Sequence, residues 1–250
     1  MKNRVKRILL LLLIFSAGIV YGQKKKPETT TNSGNKNNQG YEKRKSVIRT
    51  AIKFQDPGPA VNAYYDLLAM YPDSVQYLDS LAFLYYQVGM NQQCILVSTE
   101  ILSSNPNNLA ILEVKAVSEK NLGLIKMALE DFEKLLPATK NIQHQYQIAT
   151  LQYDLKRLGE CQLTIKSLLQ REDLDQAKVT VFYGQGLSQT VSMKAEIYNM
   201  EGVILKDLNE DDRAMEMFKK SIELEPEFAL ALNNKTSLEK KPENGKQEKK

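Results

Sequence analysis

Side chains that could act as nucleophiles, acid–base catalysts or metal ligands are scarce in this sequence. His144 is the only histidine, and Cys94 and Cys161 are the only cysteines. A histidine site needs a neighbouring acid or a second ligand, but Gln147 and Ile148 stand one helical turn after His144. Both cysteines fall in apolar helical patterns, which favours buried thiols. The sequence therefore offers no catalytic residue, no metal ligand set and no cofactor site, and we expect a protein that is not an enzyme.

Two further segments resemble site motifs only in part. The acidic run Glu-Asp-Asp at 210–212 stands where a helix is predicted to begin, and carboxylates there interact favourably with the helix dipole. The Gly-Gln-Gly segment at 184–186 lacks the third glycine and the following helix of a dinucleotide-binding loop. We interpret the first segment as a helix start and the second as a turn.

The charge balance of the chain argues against nucleic acid as the main partner. The 250 residues include 34 Lys and Arg against 30 Asp and Glu, for a formal net charge of +4. Lys2, Arg4, Lys6 and Arg7 supply four of these basic residues at the start of the chain, before any acidic residue appears. Without them the two charges balance, whereas nucleic-acid binding needs a basic surface.

The first 22 residues are typical of an export signal. Residues 1–22 combine a basic start, an apolar run from Ile8 to Val20, and a small residue at Gly22. As a helix this run would span about 20 Å, short of a hydrocarbon core of about 30 Å. We predict cleavage before Gln23, no stable membrane span afterwards, and export to the periplasm or cell surface. A retained signal that anchors the chain is the alternative.

Polar segments flank the region that can fold. Residues 23–40 consist mainly of Lys, Thr, Asn, Gly and Gln, and residues 241–250 are similarly polar and charged. Such compositions bury too little apolar surface to fold. We expect a flexible tether at 23–40, a folded domain at 41–240 and a disordered charged tail at 241–250.

Several residue types recur every 34 positions in the folded region. The recurring residues are the prolines Pro72 and Pro106, the glycines Gly89 and Gly123, and the small residues Ala60, Cys94 and Ala128. Between them the apolar residues follow helical spacing, with a glycine turn in the middle of each repeat. Each repeat is therefore predicted to be two antiparallel helices.

The last repeat resembles the tetratricopeptide repeat (TPR) family. From Ala195, the residues that carry the resemblance are Tyr198, Gly202, Leu205, Ala214, Phe218, Ser221 and Pro226. The resemblance implies an all-α fold, a right-handed α-solenoid of helix-turn-helix repeats. The same register gives repeats at 41–74, 75–108, 109–142, 143–176 and 195–228, with a closing helix at 228–238 whose asparagines we expect to face water.

Two repeats depart from the pattern. The first opens with a basic, weakly patterned helix predicted over 42–54, and Pro57-Gly58-Pro59 replaces a single turn glycine. In the fourth, Gly159 arrives about two positions late, so its second helix is predicted over 160–171.

An insertion at 177–194 separates the fourth and fifth repeats. Residues 178–183 and 190–193 are rich in β-branched and aromatic side chains around the 184–186 turn, which predicts a β-hairpin. Val181, Phe182 and Tyr183 are candidate contacts with a partner. A packing flap over the fourth repeat is an equally weighted alternative.

The resemblance also implies an inner groove lined by the first helix of each repeat. The candidate groove residues are Lys45, Arg49, Lys53, Gln76, Asp79, Phe83, Tyr86, Gln87, Glu113, Val117, Lys120, Asn121, Gln147, Leu151, Asp154 and Leu155. Packing between neighbouring helices is the alternative for the apolar members. The family's carboxylate-clamp pattern is not met, because Ser80 stands where it needs an asparagine.

These observations favour a non-catalytic protein-interaction scaffold or adapter of the cell envelope. The expected partner is another protein, bound in the groove and through the hairpin. An alternative is a binder of an envelope glycan that uses Phe83, Tyr86 and Tyr153 as stacking surfaces, and an accessory subunit of an envelope enzyme is a third.

Overall fold

The computed structural model describes residues 33–184 and 186–240. The predicted signal at 1–22, most of the tether and the tail at 241–250 lie outside the described residues. The described chain is helical apart from one two-stranded antiparallel hairpin, which confirms the predicted fold class. It divides into an N-terminal unit, residues 33–122, and a C-terminal unit, residues 123–184 and 186–240.

Five helices form the described part of the N-terminal unit. They are α1 (Ser33–Lys53), α2 (Pro57–Met70), α3 (Val75–Gln87), α4 (Asn91–Ser104) and α5 (Leu109–Asn121). Consecutive helices pack against each other, and α3 also packs against α5. Leu81, Tyr85, Cys94, Ile101 and Ile111 form the centre of the largest apolar core of this unit.

Helix α1 begins earlier than the sequence predicts. It starts at Ser33, within the predicted tether, so that prediction was wrong for 33–40. A helix that is already formed extends at little cost, and Gly40 accepts a hydrogen bond from the Arg44 guanidinium at 3.0 Å through its carbonyl oxygen. Tyr41, Val47 and Ile48 of this helix pack into an apolar cluster of the unit.

A left-handed residue makes the turn between the two helices of every repeat. The five residues are Gln55, Gly89, Gly123, Lys156 and Asn209, with φ between 56° and 76°. Glycine adopts this region without strain, whereas other residues pay about 1 kcal/mol. In the fourth repeat the turn residue is Lys156, and Gly159 lies inside the next helix. The predicted start of that helix at 160 is corrected accordingly.

The C-terminal unit contains six helices of the described chain and the hairpin. The elements are α6 (Ile125–Thr139), α7 (Ile142–Asp154), α8 (Leu158–Leu169), a 3-10 turn (Leu174–Gln176), β1 (Lys178–Tyr183), β2 (Leu187–Ser192), α9 (Met193–Asp207), α10 (Asp211–Leu224) and α11 (Ala229–Glu239). In the hairpin, Lys178 pairs with Ser192 and Tyr183 with Leu187. None of the described helices combines the length and apolar character that a bilayer crossing requires.

Close packing of α9 on α10 explains the small residues of the fifth repeat. A Cβ atom added at Gly202 would come within 2.5 Å of the Phe218 ring, and that ring is fully buried. On the same contact, the Ser221 hydroxyl donates a hydrogen bond to the Ala195 carbonyl at 2.7 Å. The two helices therefore approach as closely as the TPR pattern implies.

Candidate partner-binding surfaces

Three basic side chains of α1 form the first candidate surface. Lys45, Arg49 and Lys53 are exposed and follow one another at four-residue intervals along one side of the helix. The Lys45 Nζ lies 4.9 Å from the ring centroid of Tyr41, and the Lys53 Nζ lies 5.5 Å from that of Phe54. No described carboxylate forms an ion pair with any of these three cations. We call Lys45, Arg49 and Lys53 the cationic stripe.

The second candidate surface is the side of α3 that carries Phe83 and Tyr86. Both side chains are half-buried at the edge of the apolar core of the N-terminal unit. Burial raises the pKa of the Tyr86 hydroxyl, and the nearby Glu113 carboxylate on α5 adds to the increase. Part of each ring therefore packs between helices, as the packing alternative expects, and part stays accessible.

Asp79 lies one helical turn before Phe83, and only one of its two carboxylate oxygens has a hydrogen-bond donor nearby among the described residues. The Asn108 side-chain amide approaches Asp79 Oδ2 at 3.5 Å, whereas Oδ1 is buried and accepts no hydrogen bond from the described residues. Burial raises the pKa of this carboxyl, and the Asn108 hydrogen bond opposes the increase. An unpaired buried acceptor is unfavourable, so this oxygen destabilises the folded unit.

The other predicted contacts of the N-terminal unit differ in exposure. Gln76, Gln87 and Asn121 are exposed, while Val117 and Lys120 are half-buried. The Asn121 amide also approaches a side-chain oxygen of α4 at 3.4 Å. Partner contact by these five residues stays a prediction.

Sequence reasoning missed a tyrosine cluster beside the cationic stripe. The rings of Tyr41 and Tyr71, and those of Tyr71 and Tyr77, have centroids 6.1 Å apart. A hydrogen bond with Tyr77 lowers the pKa of Tyr41, and the charge of Lys45 lowers it further. Burial, followed by the Tyr41 hydrogen bond, raises the pKa of Tyr77 to about 12. The only signal in the sequence is the abundance of tyrosine in the first two repeats.

The predicted groove residues of the C-terminal unit are less accessible. Helix α7 buries seven of its 13 residues, including His144 and two glutamines, so it is covered on most of its sides. Leu151 is fully buried, and its predicted role as a surface contact is therefore corrected. Gln147 and Leu155 are half-buried, and Asp154 is exposed.

A buried polar network occupies the inner positions of the fifth repeat. The Asn199 amide donates to Glu196 Oε2 at 3.0 Å, and the Tyr146 hydroxyl approaches Oε1 at 3.4 Å. The Asn234 amide donates to Asn199 Oδ1 at 2.8 Å, so α11 does not turn this asparagine to water as expected. Burial raises the pKa of Glu196 to about 7, and no described cation pairs with it. Glu196 and Asn199 are the second and fifth residues of the fifth repeat. Applying the groove positions of the other repeats to this one would have identified both.

The two faces of the hairpin have different environments. Val179, Val181 and Val191 point into the apolar core of the C-terminal unit, so the prediction of Val181 as a partner contact is corrected. The alternation of a β-strand places Phe182 on the opposite face, where it is 62% exposed. Tyr183 is half-buried, near the turn.

The hairpin is also fastened to α11 through one side chain. The Gln189 amide nitrogen donates to the Glu227 carbonyl at 2.9 Å, and its oxygen accepts from the Ala229 backbone N–H at 3.1 Å. The base of the hairpin is therefore a packing flap, and its tip is the exposed part.

The residues with potential for chemistry are engaged in packing. Cys94 and Cys161 are fully buried free thiols, and burial raises the pKa of Cys161 to about 12. His144 is buried against the Phe132 ring, and its Nδ1 lies 2.9 Å from the Thr139 hydroxyl. Asp211 and the acidic residue after it form the first turn of α10. Within 33–184 and 186–240, no group of His, Cys, Asp and Glu has a metal-binding arrangement.

Comparison with known proteins agrees with this architecture. The tetratricopeptide repeat family model matches residues 195–228. A search of curated proteins gave no match. A TPR protein from Parabacteroides merdae ATCC 43184 has a similar solved structure, with a TM-score of 0.62, 17% identity, and coverage of 80% of this chain and 72% of that protein.

Two further solved structures share the fold. YrrB, described as a TPR protein with an unusual peptide-binding site, gives a TM-score of 0.62 at 14% identity and covers 82% of this chain and 96% of its own. MamA from Desulfovibrio magneticus RS-1 gives 0.58 at 15% identity and covers 76% of this chain and 97% of its own. Residues 195–228 thus match the tetratricopeptide repeat family, and the described chain shares its fold with solved TPR proteins.

Proposed function

We propose that this chain is a non-catalytic interaction scaffold of the bacterial cell envelope, and that a partner protein binds its N-terminal unit. The observation that carries the proposal is the cationic stripe, whose charges lack described acidic partners and lie on the unit that carries the accessible parts of Phe83 and Tyr86. Exposed aromatic rings and unpaired arginine or lysine side chains are common contacts in interfaces. The peptide-binding site named for YrrB supports this class of function.

Export places the proposed partner in the periplasm or at the cell surface. The support is the signal-like composition of residues 1–22 and the predicted cleavage before Gln23. Amino-terminal sequencing of the protein from an envelope fraction tests this part: Gln23 at the amino terminus is expected, and Met1 would contradict cleavage.

A second contact at the tip of the hairpin extends the proposal. Phe182 and Leu187 expose 62% and 59% of their surface, while the valines beneath them are buried. The flap and binding alternatives thus apply to different parts of one element. We assign packing to the valines and partner contact to the tip.

Tyr153 gives no support to glycan stacking. Its hydroxyl donates to Asp207 Oδ2 at 2.9 Å, and the Lys156 Nζ lies 4.7 Å from its ring centroid. The ring is therefore already covered by a side chain of its own unit, and we propose protein binding alone.

Site-specific photo-crosslinking in cells tests the proposal. A photoreactive phenylalanine is placed at the exposed positions Gln76 and Gln87 of α3, and in a control at Leu96 of α4, which is 65% exposed on the same unit. We expect the same discrete envelope protein to be captured from both α3 positions and not from Leu96.

Reciprocal capture makes the test specific. The partner, once identified by mass spectrometry, is tagged and must recover this chain through the same cross-link. An equal yield from Leu96, or no captured protein at either α3 position in the folded chain, would contradict the proposed function.

A further inference from the structure

We infer that the cationic stripe binds an acidic, extended segment of the partner protein, with carboxylates at alternate residues. This inference rests on the proposed function and specifies the chemistry of the partner. Its basis is the spacing of Lys45, Arg49 and Lys53 on α1, and the observation that none of them forms an ion pair with a carboxylate of the described residues.

The stripe differs from the other basic residues of its helix. Arg44, on another side of α1, forms an ion pair with Asp66 of α2 at 3.0 Å. Lys45 and Lys53 instead lie beside aromatic rings, which hold them in place without neutralising their charge. Charge on this side of α1 is therefore available to an external acid.

The spacing of the stripe matches an extended chain. Residues four apart on a helix are separated by about 6 Å along the axis and by about 40° around it. Alternate residues of a β-strand lie on one face and are about 6.8 Å apart. Three carboxylates at alternate positions of an extended segment can therefore meet the three cations one to one.

The immediate surroundings of the stripe favour a short acidic protein segment over nucleic acid. Exposed Glu42 precedes the stripe and exposed Asp56 follows it, so a carboxylate stands on each side of the stripe along the chain. A nucleic-acid backbone carries a phosphate at every residue and needs a longer basic surface. Phosphates that continued past the stripe would meet these carboxylates.

The terminal segments of this chain are unsuitable occupants of the stripe. Residues 23–32 and 241–250 each contain more lysines than acidic residues. Their net charge has the same sign as the stripe, so they would be repelled. The acidic segment therefore belongs to a different protein.

Fluorescence anisotropy with a synthetic peptide tests this inference. The probe is a fluorescein-labelled peptide in which Glu alternates with Thr, and the control peptide carries Gln in place of Glu. Binding to the full chain is compared with a stripe variant, Lys45→Ala, Arg49→Ala and Lys53→Ala together. A matched control variant, Lys43→Ala, Lys166→Ala and Lys219→Ala, removes the same charge from exposed sites outside the stripe.

We expect the Glu peptide to bind the wild-type chain and to lose about tenfold in affinity with the stripe variant, since three partly screened pairs are removed. The control variant should stay within about twofold of wild type. Equal losses in both variants, or no loss in either, would overturn the inference. Equal competition by a single-stranded DNA of the same charge would instead identify a nucleic-acid surface, and self-association measured by light scattering would identify a second copy as the occupant.

The outcome separates this inference from the proposed function. If the stripe variant still cross-links the partner from Gln87 at wild-type yield, the acidic-segment inference fails while the scaffold function stands. If neither Gln76 nor Gln87 captures a partner even in the wild-type chain, the proposed function itself fails.

Discussion

The fifth position of a repeat is solvent-accessible in the N-terminal unit and buried in the C-terminal unit. Lys45 is the fifth residue of the first repeat, and Asn199 is the fifth residue of the last. Lys45 is exposed and unpaired with described acids, whereas Asn199 is 4% exposed and hydrogen-bonded to Glu196 and Asn234.

The difference arises from the neighbouring elements. In the C-terminal unit α11 and α7 provide hydrogen-bond partners for the inner side of α9, and the hairpin adds apolar cover through Val179 and Val191. In the N-terminal unit the inner side of α1 has no comparable cover among the described residues. The repeat register therefore predicts which residues lie on the inner side of a helix. The neighbouring elements determine whether such a residue is accessible to a partner.

The largest expected effect separates the two faces of the hairpin. Val181→Asp puts an unpaired charge into the core of the C-terminal unit and should lower the free energy of unfolding by about 3 kcal/mol or more. Phe182→Asp, one residue later on the exposed face, should change it by less than about 0.5 kcal/mol. Urea unfolding followed by circular dichroism measures both, and similar losses would contradict the division between base and tip.

The next largest effect is a pH dependence of stability that arises from the buried Glu196 network of the C-terminal unit. The folded pKa of Glu196, about 7, lies above its ordinary value of 4.5. Its contribution to stability is therefore complete below pH 4.5 and is lost as the pH rises through 7. Glu196→Gln should raise the free energy of unfolding by about 2 kcal/mol at pH 8 relative to wild type, and by little at pH 4.

Asp79→Asn is the counterpart in the N-terminal unit. Burial also raises the pKa of Asp79, but the side chain is only half-buried. We expect Asp79→Asn to raise the free energy of unfolding by less than Glu196→Gln does. Urea midpoints of both variants at pH 4 and pH 8 measure the difference. A pH-independent effect of Glu196→Gln would mean that the buried network does not hold the proton as described.

Close packing in the fifth repeat predicts a smaller loss of stability when a side chain is added. Gly202→Ala brings a methyl group to within 2.5 Å of the buried Phe218 ring, and overpacking of this kind costs about 1 to 2 kcal/mol after the gain in helix propensity. Gly159→Ala, whose added methyl meets nothing within 4 Å, should be neutral or stabilise by up to about 1 kcal/mol. Equal thermal midpoints of the two variants would show that α9 and α10 are not in tight contact.

Substitutions at the left-handed turn residues should change stability least, and they can be made in both units. Lys156→Gly relieves a left-handed lysine at φ 59° and should stabilise the C-terminal unit by about 1 kcal/mol. Gly89→Ala, at φ 73° in the N-terminal unit, should cost about the same. Opposite shifts of the urea midpoint are expected, and a loss in Lys156→Gly would show that the lysine side chain itself supports the turn.

The sequence predicts the helix pairs and the hairpin because both depend on local patterns. The period of 34 residues fixes the repeats, and the β-branched run at 178–183 distinguishes the insertion from a helix. Gly159 misled the prediction, because a glycine was assumed to mark the fourth turn where the structure uses Lys156. The start of α1 at Ser33 has no apolar signal in its first turns.

The candidate surfaces are less predictable because they depend on contacts between distant residues. The stripe could be found from spacing, since α1 alone determines it. The burial of Leu151 depends on what surrounds α7, and the Glu196 network joins residues from three helices. The tyrosine cluster likewise brings together Tyr41 of α1, Tyr71 at the end of α2 and Tyr77 of α3.

The most direct test compares photo-crosslinking from Gln87 in the N-terminal unit with that from Asp154 in the C-terminal unit, in the same cells. Both residues are exposed, and both occupy predicted groove positions of first helices. We expect the partner to be captured from Gln87 at a high yield and from Asp154 at background level. Capture from Asp154 but not from Gln87 would show that the open surface has been assigned to the wrong unit.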